Sequence, residues 1–210
     1  MTAVYVVTDI EVNGPTPGEH SMLAFASVAV DHAGGELGSF EAVLETLPEA
    51  GEDPITIDWF RGFPDAWAAA TTNPGPPSEV MQRYAAWLRG LPGQRIFAAH
   101  PLAFDGAWID YYLRRFAGIR MLKGPWAGER LFHNAGLCLQ AFAAGRSGWD
   151  FAACRTEDYP PEWLGHVPHS HRSIDDARGY ANLLRTLLQM KAPAAAGPRD
   201  KRAVMPSDRR

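Results

Sequence analysis

Two carboxylates spaced two residues apart, Asp9 and Glu11, close the apolar run AVYVVT near the start of the chain. A strand alternates its faces with a period of two, so both side chains point to the same side. Two like charges beside an apolar strand are unfavourable unless a cation or hydrogen-bond donors compensate them, and the following VNGPTPGEH offers no Arg or Lys. A hard divalent cation such as Mg²⁺, which prefers oxygen ligands, would compensate. The alternative is that the strand stops here and both acids are hydrated in the loop.

Asp105 follows the apolar run RIFAAH at the start of a helical pattern, where it reads either as a ligand or as a first-turn acid favoured by the helix dipole. His171 and Asp176 stand in HSHRSIDDARGYANLL. Ser173 and Asp176 fit the Ser-x-x-acid pattern of a helix start, which would explain Asp176 and leave His171 without a role. Each of the three clusters lies at a strand end or helix start, and in open α/β sheets such ends gather at one rim. Four carboxylates could then hold two divalent ions that clamp the attacking and leaving oxygens of a phosphodiester. A histidine with an ordinary pKa near 6.5 could take the proton from the attacking water.

Those groups need a sheet and helices to position them. The β-branched run Ala3–Thr8 reads as a central strand covered on both faces, and Met22–Val30 and Leu37–Leu44, joined by DHAGGE, read as a hairpin paired onto it. Residues 48–78 read as loops around one short helix, ITIDWFRGFPDAW. With Ser78 as N-cap, Val80, Tyr84, Trp87, Leu88 and Leu91 recur at helical spacing, with Gly93 beyond the end. Arg95–Ala99 is a fourth strand, followed by a helix carrying Phe104, Trp108, Tyr111 or Tyr112, and Phe116 to Gly118, with Asp110 on its surface. Leu131–Ala144 reads as a further helix. The last begins at an N-cap Ser173 and places Ala177, Tyr180, Ala181, Leu184, Leu187 and Leu188 on one face. The order implies one mixed α/β domain, residues 1–191, with helices covering a sheet.

The segments DIEVNG, HPLAFD and HRSIDDA, in this order, resemble the three exonuclease motifs of the DEDDh 3′-to-5′ exonuclease superfamily. Its members include the proofreading subunits of bacterial replicases, ribonuclease T and oligoribonuclease. The resemblance runs from Val4 to Leu188 and implies a ribonuclease H-like fold whose central strand carries the first acidic motif. It also implies Mg²⁺ or Mn²⁺ as a pair of divalent cofactors, with Asp9, Glu11, Asp105 and Asp176 as ligands and His171 as general base. Four residues separate His171 from Asp176, as the histidine subtype requires, and Arg172 stands where the tyrosine subtype has Tyr. The chain departs from the pattern in Val12 and Asn13, where small hydroxyl residues usually precede Gly14, in Pro101 after His100, where Asn is common, and in Ser173, where Ala is usual.

The activity implied is stepwise release of nucleoside 5′-monophosphates from single-stranded 3′ ends, with RNA or short oligoribonucleotides favoured over DNA. Val12, Asn13, Gly14, His100, Phe104 and Trp59 are the candidate substrate contacts. His100 could also simply cap its strand. ITIDWF is similar to an aromatic segment of exoribonucleases related to exonuclease VIII, in which Trp59 would stack on a base; the other reading is a small satellite core containing Trp59 and Trp67. A DNA proofreading or repair exonuclease is the alternative activity, and a catalytically silent nucleic-acid-binding module on the same fold is the alternative of another class.

Composition narrows the remaining classes. In 210 residues, 24 acids against 20 bases exclude a strongly basic duplex binder, and no apolar run is long enough to span a membrane. Cys138 and Cys154 are too few for a disulfide framework, which together with the absence of a leader-like start points to a reduced, cytoplasmic setting. The tract His166, His169, His171 lacks a fourth ligand at suitable spacing for zinc. No Walker loop, GxGxxG or GxSxG occurs. Residues 192–210 read as a disordered tail with five bases and two acids, so residues 1–191 carry −7 of the overall −4. Two bound dications would offset part of that charge. Among closed assemblies a homodimer is the commonest.

Overall fold

The computed structural model describes residues 2–121 and 129–191; the expected tail lies outside them. Five strands form one sheet in the order β3-β2-β1-β4-β5, with β1 Ala3–Val12, β2 Met22–Asp31, β3 Glu36–Val43, β4 Gln94–Ala99 and β5 Leu137–Cys138. The pairs β1/β2 and β2/β3 are antiparallel, while β4 and β5 join in parallel. This is the mixed sheet expected, with β1 at its centre. The strand runs four residues past Thr8, so Asp9 and Glu11 lie within the ladder, opposite Ala26 and Ala24. Alanine partners leave open the space into which the two carboxylates project.

Alternation along β1 divides the core. Val4, Val6 and Ile10 pack with Phe25, Phe97, Tyr84, Trp108 and Tyr112 against α3 (Pro77–Gly90) and α4 (Leu102–Tyr112). Val7 faces the other way and packs with Val28, Ala98, Leu139, Ala177 and Leu184 beneath α5 (Leu139–Ser147) and α6 (Ser173–Gln189). Asp9 and Glu11 share the parity of Val7 and are thereby directed toward the start of α6. Thr8 has the opposite parity, and its hydroxyl meets that of Ser27 at 2.7 Å, which in turn meets Tyr84 at 2.9 Å, so this buried polar position is satisfied.

Several expectations need correcting. Residues 48–78 contain two helices, α1 (Pro54–Arg61) and α2 (Pro64–Thr71), each opened by a proline whose missing N–H costs nothing in the first turn. The α3 helix likewise starts at Pro77, and Ser78 lies inside it without a capping bond. Residues 131–136 are not helical: β5 occupies Leu137–Cys138 and α5 begins at Leu139. Cys138 is half-buried and Cys154 buried, and both are free thiols. After Tyr112 the helix widens into a π turn over Leu113–Ala117 and ends at Gly118 in the left-handed region, φ 68°. The expected apolar face there holds for Trp108 and Tyr112 but not for Phe104, which is 41% exposed. No helix among the described residues is long and apolar enough to cross a membrane.

Candidate active site

The carboxylates of three elements meet at one end of the sheet. Asp9 and Glu11 come from β1 and Asp176 from the first turn of α6, and one oxygen of each lies within 4.8 Å of the others. Asp105, in the first turn of α4, lies beside Asp9 and Glu11, whose carboxyls its charge raises. Glu11, Asp105 and Asp176 are almost fully enclosed, at 7%, 3% and 4% exposure, whereas Asp9 is partly open to the cleft above. Burial, reinforced by the charges of Glu11, Asp105 and Asp176, pushes the Asp9 carboxyl well above the usual carboxylate range. Glu11 is raised by burial and then by Asp176 and Asp105. Asp105 is pushed up by burial to about 7, even though its own and the Ile10 amides oppose the shift. Asp9 and Glu11 both lie within the β1 ladder and Glu11 is buried, so the hydrated-loop alternative does not describe them.

Asp176 does not pair with Ser173 as a cap. Ser173 is the buried first residue of α6, Arg172 is the N-cap, and neither side chain caps the helix. The Asp176 carboxylate instead accepts the amides of Ser170 and His171, each at 3.0 Å, and meets His169 Nδ1 at 3.0 Å. These bonds tie the histidine loop to the acidic cluster. His171 itself sits in the left-handed region, φ 59°, a conformation that costs a non-glycine residue about 1–3 kcal/mol and is maintained by its surroundings. Its ring packs against Phe63, Trp59 and His169 at centroid distances of 4.3, 4.9 and 4.4 Å. Burial, then the neighbouring His169, lowers its pKa below the ordinary histidine value, against a smaller upward pull from Asp176.

The cleft over these residues has a volume of about 360 Å³. Val12, Gly14, Trp59, His100 and Phe104 line it, as do Asp9, Glu11, Asp105, His171 and Asp176. Trp59 is 50% exposed at the mouth, while its neighbour Phe60 and Trp67 belong to the satellite core with Leu23 and Ala66. The aromatic segment therefore divides between the two readings. His100 stacks on Tyr180 at 4.9 Å, and its Nε2 lies 2.9 Å from the Tyr159 hydroxyl. That hydroxyl donates to the Cys154 carbonyl, so His100 Nε2 is the donor toward Tyr159. A side chain at Gly14 would collide with the His20 ring, which explains the glycine by close approach. Asp110, as expected, is not part of the cluster; it accepts from Arg120 and from the Met121 amide.

Asn13 is the candidate contact that the fold removes from the cleft. It is buried, and its Oδ1 accepts the Ser21 amide at 2.6 Å, while its backbone bonds Ser21 and Asp53. Its work is to close the Gly/Pro loop after β1. Asn13→Ala leaves the Ser21 amide buried without a partner, and the expected cost is about 1–3 kcal/mol in urea unfolding. Substrate KM should change far less than stability. Phe63, Tyr180 and His169 were not among the candidate substrate contacts, although Phe63 stands in the aromatic segment already singled out and His169 in the histidine tract.

No protein-family model matches the chain. In sequence it is similar to the 3′-5′ DNA exonuclease Cap18 of Escherichia coli, 19% identical over 188 residues that cover 88% of this chain and 91% of Cap18. Among solved structures, the nuclease domain of 3′hExo, a DEDDh family member bound to rAMP, matches with a TM-score of 0.57 at 11% identity, over 91% of this chain and 96% of that one. Escherichia coli exonuclease I in complex with a dT13 oligonucleotide matches with a TM-score of 0.63 at 13% identity, over 90% of this chain and 41% of the longer exonuclease. The five-stranded mixed sheet and its flanking helices thus agree with the solved structures, and the chain has the ribonuclease H-like fold of these exonucleases.

Proposed function

We propose that this chain is a divalent-metal-dependent 3′-to-5′ exonuclease that releases nucleoside 5′-monophosphates from single-stranded ends, with short oligoribonucleotides as favoured substrates. The observation that carries this reading is the acidic floor of the cleft, where Asp9, Glu11 and Asp176 converge and no Lys or Arg occurs among the described lining residues. Buried carboxylates without a cationic side chain fit hard divalent ions, and Asp9, Glu11, Asp105 and Asp176 would hold Mg²⁺ or Mn²⁺. When bound, such ions supply positive charge to the attacking and leaving oxygens of an in-line displacement.

The protein's own groups do the rest. His171, on the rim of the same cleft, accepts the proton of the attacking water, and its lowered pKa keeps it unprotonated at neutral pH. Trp59 and Phe104 present exposed aromatic surface on which a terminal base can stack. The cleft lies near the small end of the roughly 300–1,000 Å³ range of ligand pockets, which suits a single nucleotide inserted end-first.

The test is incubation of 3′-labelled RNA and DNA 5-mers and 20-mers with Mg²⁺ or Mn²⁺. Metal-dependent release of 5′-monophosphates, fastest from the RNA 5-mer, is expected. Intact substrates with either metal would overturn the reading. The similarity to a DNA exonuclease supports DNA ends as a second reading, and faster hydrolysis of the matched DNA oligomers would select it.

Trp59→Ala should raise KM about 5- to 150-fold, the equivalent of about 1–3 kcal/mol of base stacking, with a smaller change in kcat. Because Trp59 also touches the His171 ring, Trp59→Phe is the control and should recover most of the loss. Unchanged KM in steady-state assays of Trp59→Ala would assign the ring to the fold alone.

A further inference from the structure

A second group of donors adjoins the carboxylates and differs from them in chemistry. His169 and His171 flank Ser170 with ring centroids 4.4 Å apart, and His169 Nδ1 lies 3.0 Å from Asp176 Oδ2. One ring nitrogen of each histidine and one Asp176 oxygen lie within 4.8 Å of one another. The Ser170 amide donates to Asp176 Oδ1 and the His171 amide to Oδ2, each at 3.0 Å, which fixes the carboxylate, and the left-handed backbone of His171 is part of the same loop. In the sequence, the histidine tract lacked a further ligand at suitable spacing. The fold brings one from α6, where Asp176 follows His171 by five positions.

We propose that His169, His171 and Asp176 form a binding site for a first-row transition-metal dication, Zn²⁺ foremost. Two imidazoles and a carboxylate with open positions suit zinc, for which nitrogen ligands are natural, whereas Mg²⁺ prefers oxygen throughout. His169 is 36% exposed in its side chain, so an ion can reach the site from solvent. Occupation engages the proposed base, His171, and one oxygen of Asp176 together. The consequence is reversible inhibition of the proposed exonuclease, although Zn²⁺ binding itself does not depend on that activity.

The test is Zn²⁺ binding to the full chain in excess Mg²⁺, measured by competition with a chromophoric chelator, together with zinc K-edge X-ray absorption of the wild-type protein at one equivalent. The expected coordination contains two imidazoles. His169→Ala should weaken Zn²⁺ by more than the roughly 10- to 100-fold that losing an outer-shell partner of a metal site costs. Asp9→Asn, which disables the carboxylate site, should retain Zn²⁺ affinity. An oxygen-only shell in the absorption spectrum would overturn the proposal. Equal Zn²⁺ affinity in wild type and His169→Ala, or loss of affinity in Asp9→Asn, would do so as well by placing the ion on the carboxylates. Failure of nucleotide release in the oligomer assay leaves these outcomes unaffected, so the two readings fall separately.

Discussion

Asp9→Asn is expected to reduce nucleotide release by about 10³-fold, a loss of about 4 kcal/mol of transition-state stabilisation, while raising the thermal midpoint of the metal-free protein at pH 7.5. The two effects have one origin. Asp9 sits among Glu11, Asp105 and Asp176, and burial together with their charges disfavours its ionised form. Asparagine keeps the shape and removes the charge. A loss of rate with a gain of stability separates a functional carboxylate from a structural one, whose removal would lower both. Calorimetric melting alongside the rate assay measures the pair, and a lower midpoint in Asp9→Asn would sink this account.

The same electrostatics sets an unusual pH dependence. The Asp105 carboxyl titrates at about 7 in the folded protein against an ordinary 3.8, so between those values the folded state holds more protons than the unfolded chain. Stability from this group is therefore greatest below pH 3.8 and is lost as pH rises through 7. Asp9 and Glu11 are shifted in the same direction. Metal-free protein should accordingly melt at a lower temperature at pH 7.5 than at pH 5.5. Added Mn²⁺ should remove most of that difference, because a bound dication favours the ionised carboxylates. Melting curves at both pH values, with chelator and with Mn²⁺, check the sign.

His171→Ala is the second large effect: kcat should fall by about 10²- to 10⁴-fold, the usual contribution of a general base. Mn²⁺ binding should persist, since the proposed magnesium or manganese ligands are untouched. The pH profile makes the assignment specific. A base must be unprotonated, so the wild-type rate should rise with pH and level off below pH 6.5, because burial and His169 lower the His171 pKa. In His171→Ala that rising limb should disappear from the residual rate. Persistence of the same limb in the variant would remove His171 from the role.

How far the molecule was legible from its residues differs by element. The first three strands were readable as short apolar runs bounded by turn residues, as in MLAFASVAV, and α6 as an unbroken period of 3.6 from Ala177 to Leu187. The split of residues 54–71 into two helices was not, because the prolines that read as loop punctuation instead occupy first-turn positions at Pro54 and Pro64. A two-residue strand such as Leu137–Cys138 has no period at all. Ser78 and Ser173 looked like caps, yet a serine before an apolar pattern sits equally well inside the first turn.

The sequence by itself determined the chemistry available: two carboxylates on one face of a strand, an acid at each of two helix starts, and a histidine five positions before the last of them. Those are local facts, set by residue type and spacing. Only the tertiary structure decided which groups share a space. It placed Asp176 against Glu11 across the gap between α6 and β1, withdrew Asn13 into a backbone bond, and divided Trp59 from Phe60 between cleft and core. It also turned a histidine tract without a further ligand into one that has Asp176. Convergence of Asp9 and Asp176 across 166 intervening residues depends on sheet order and strand parity, which no local spacing encodes.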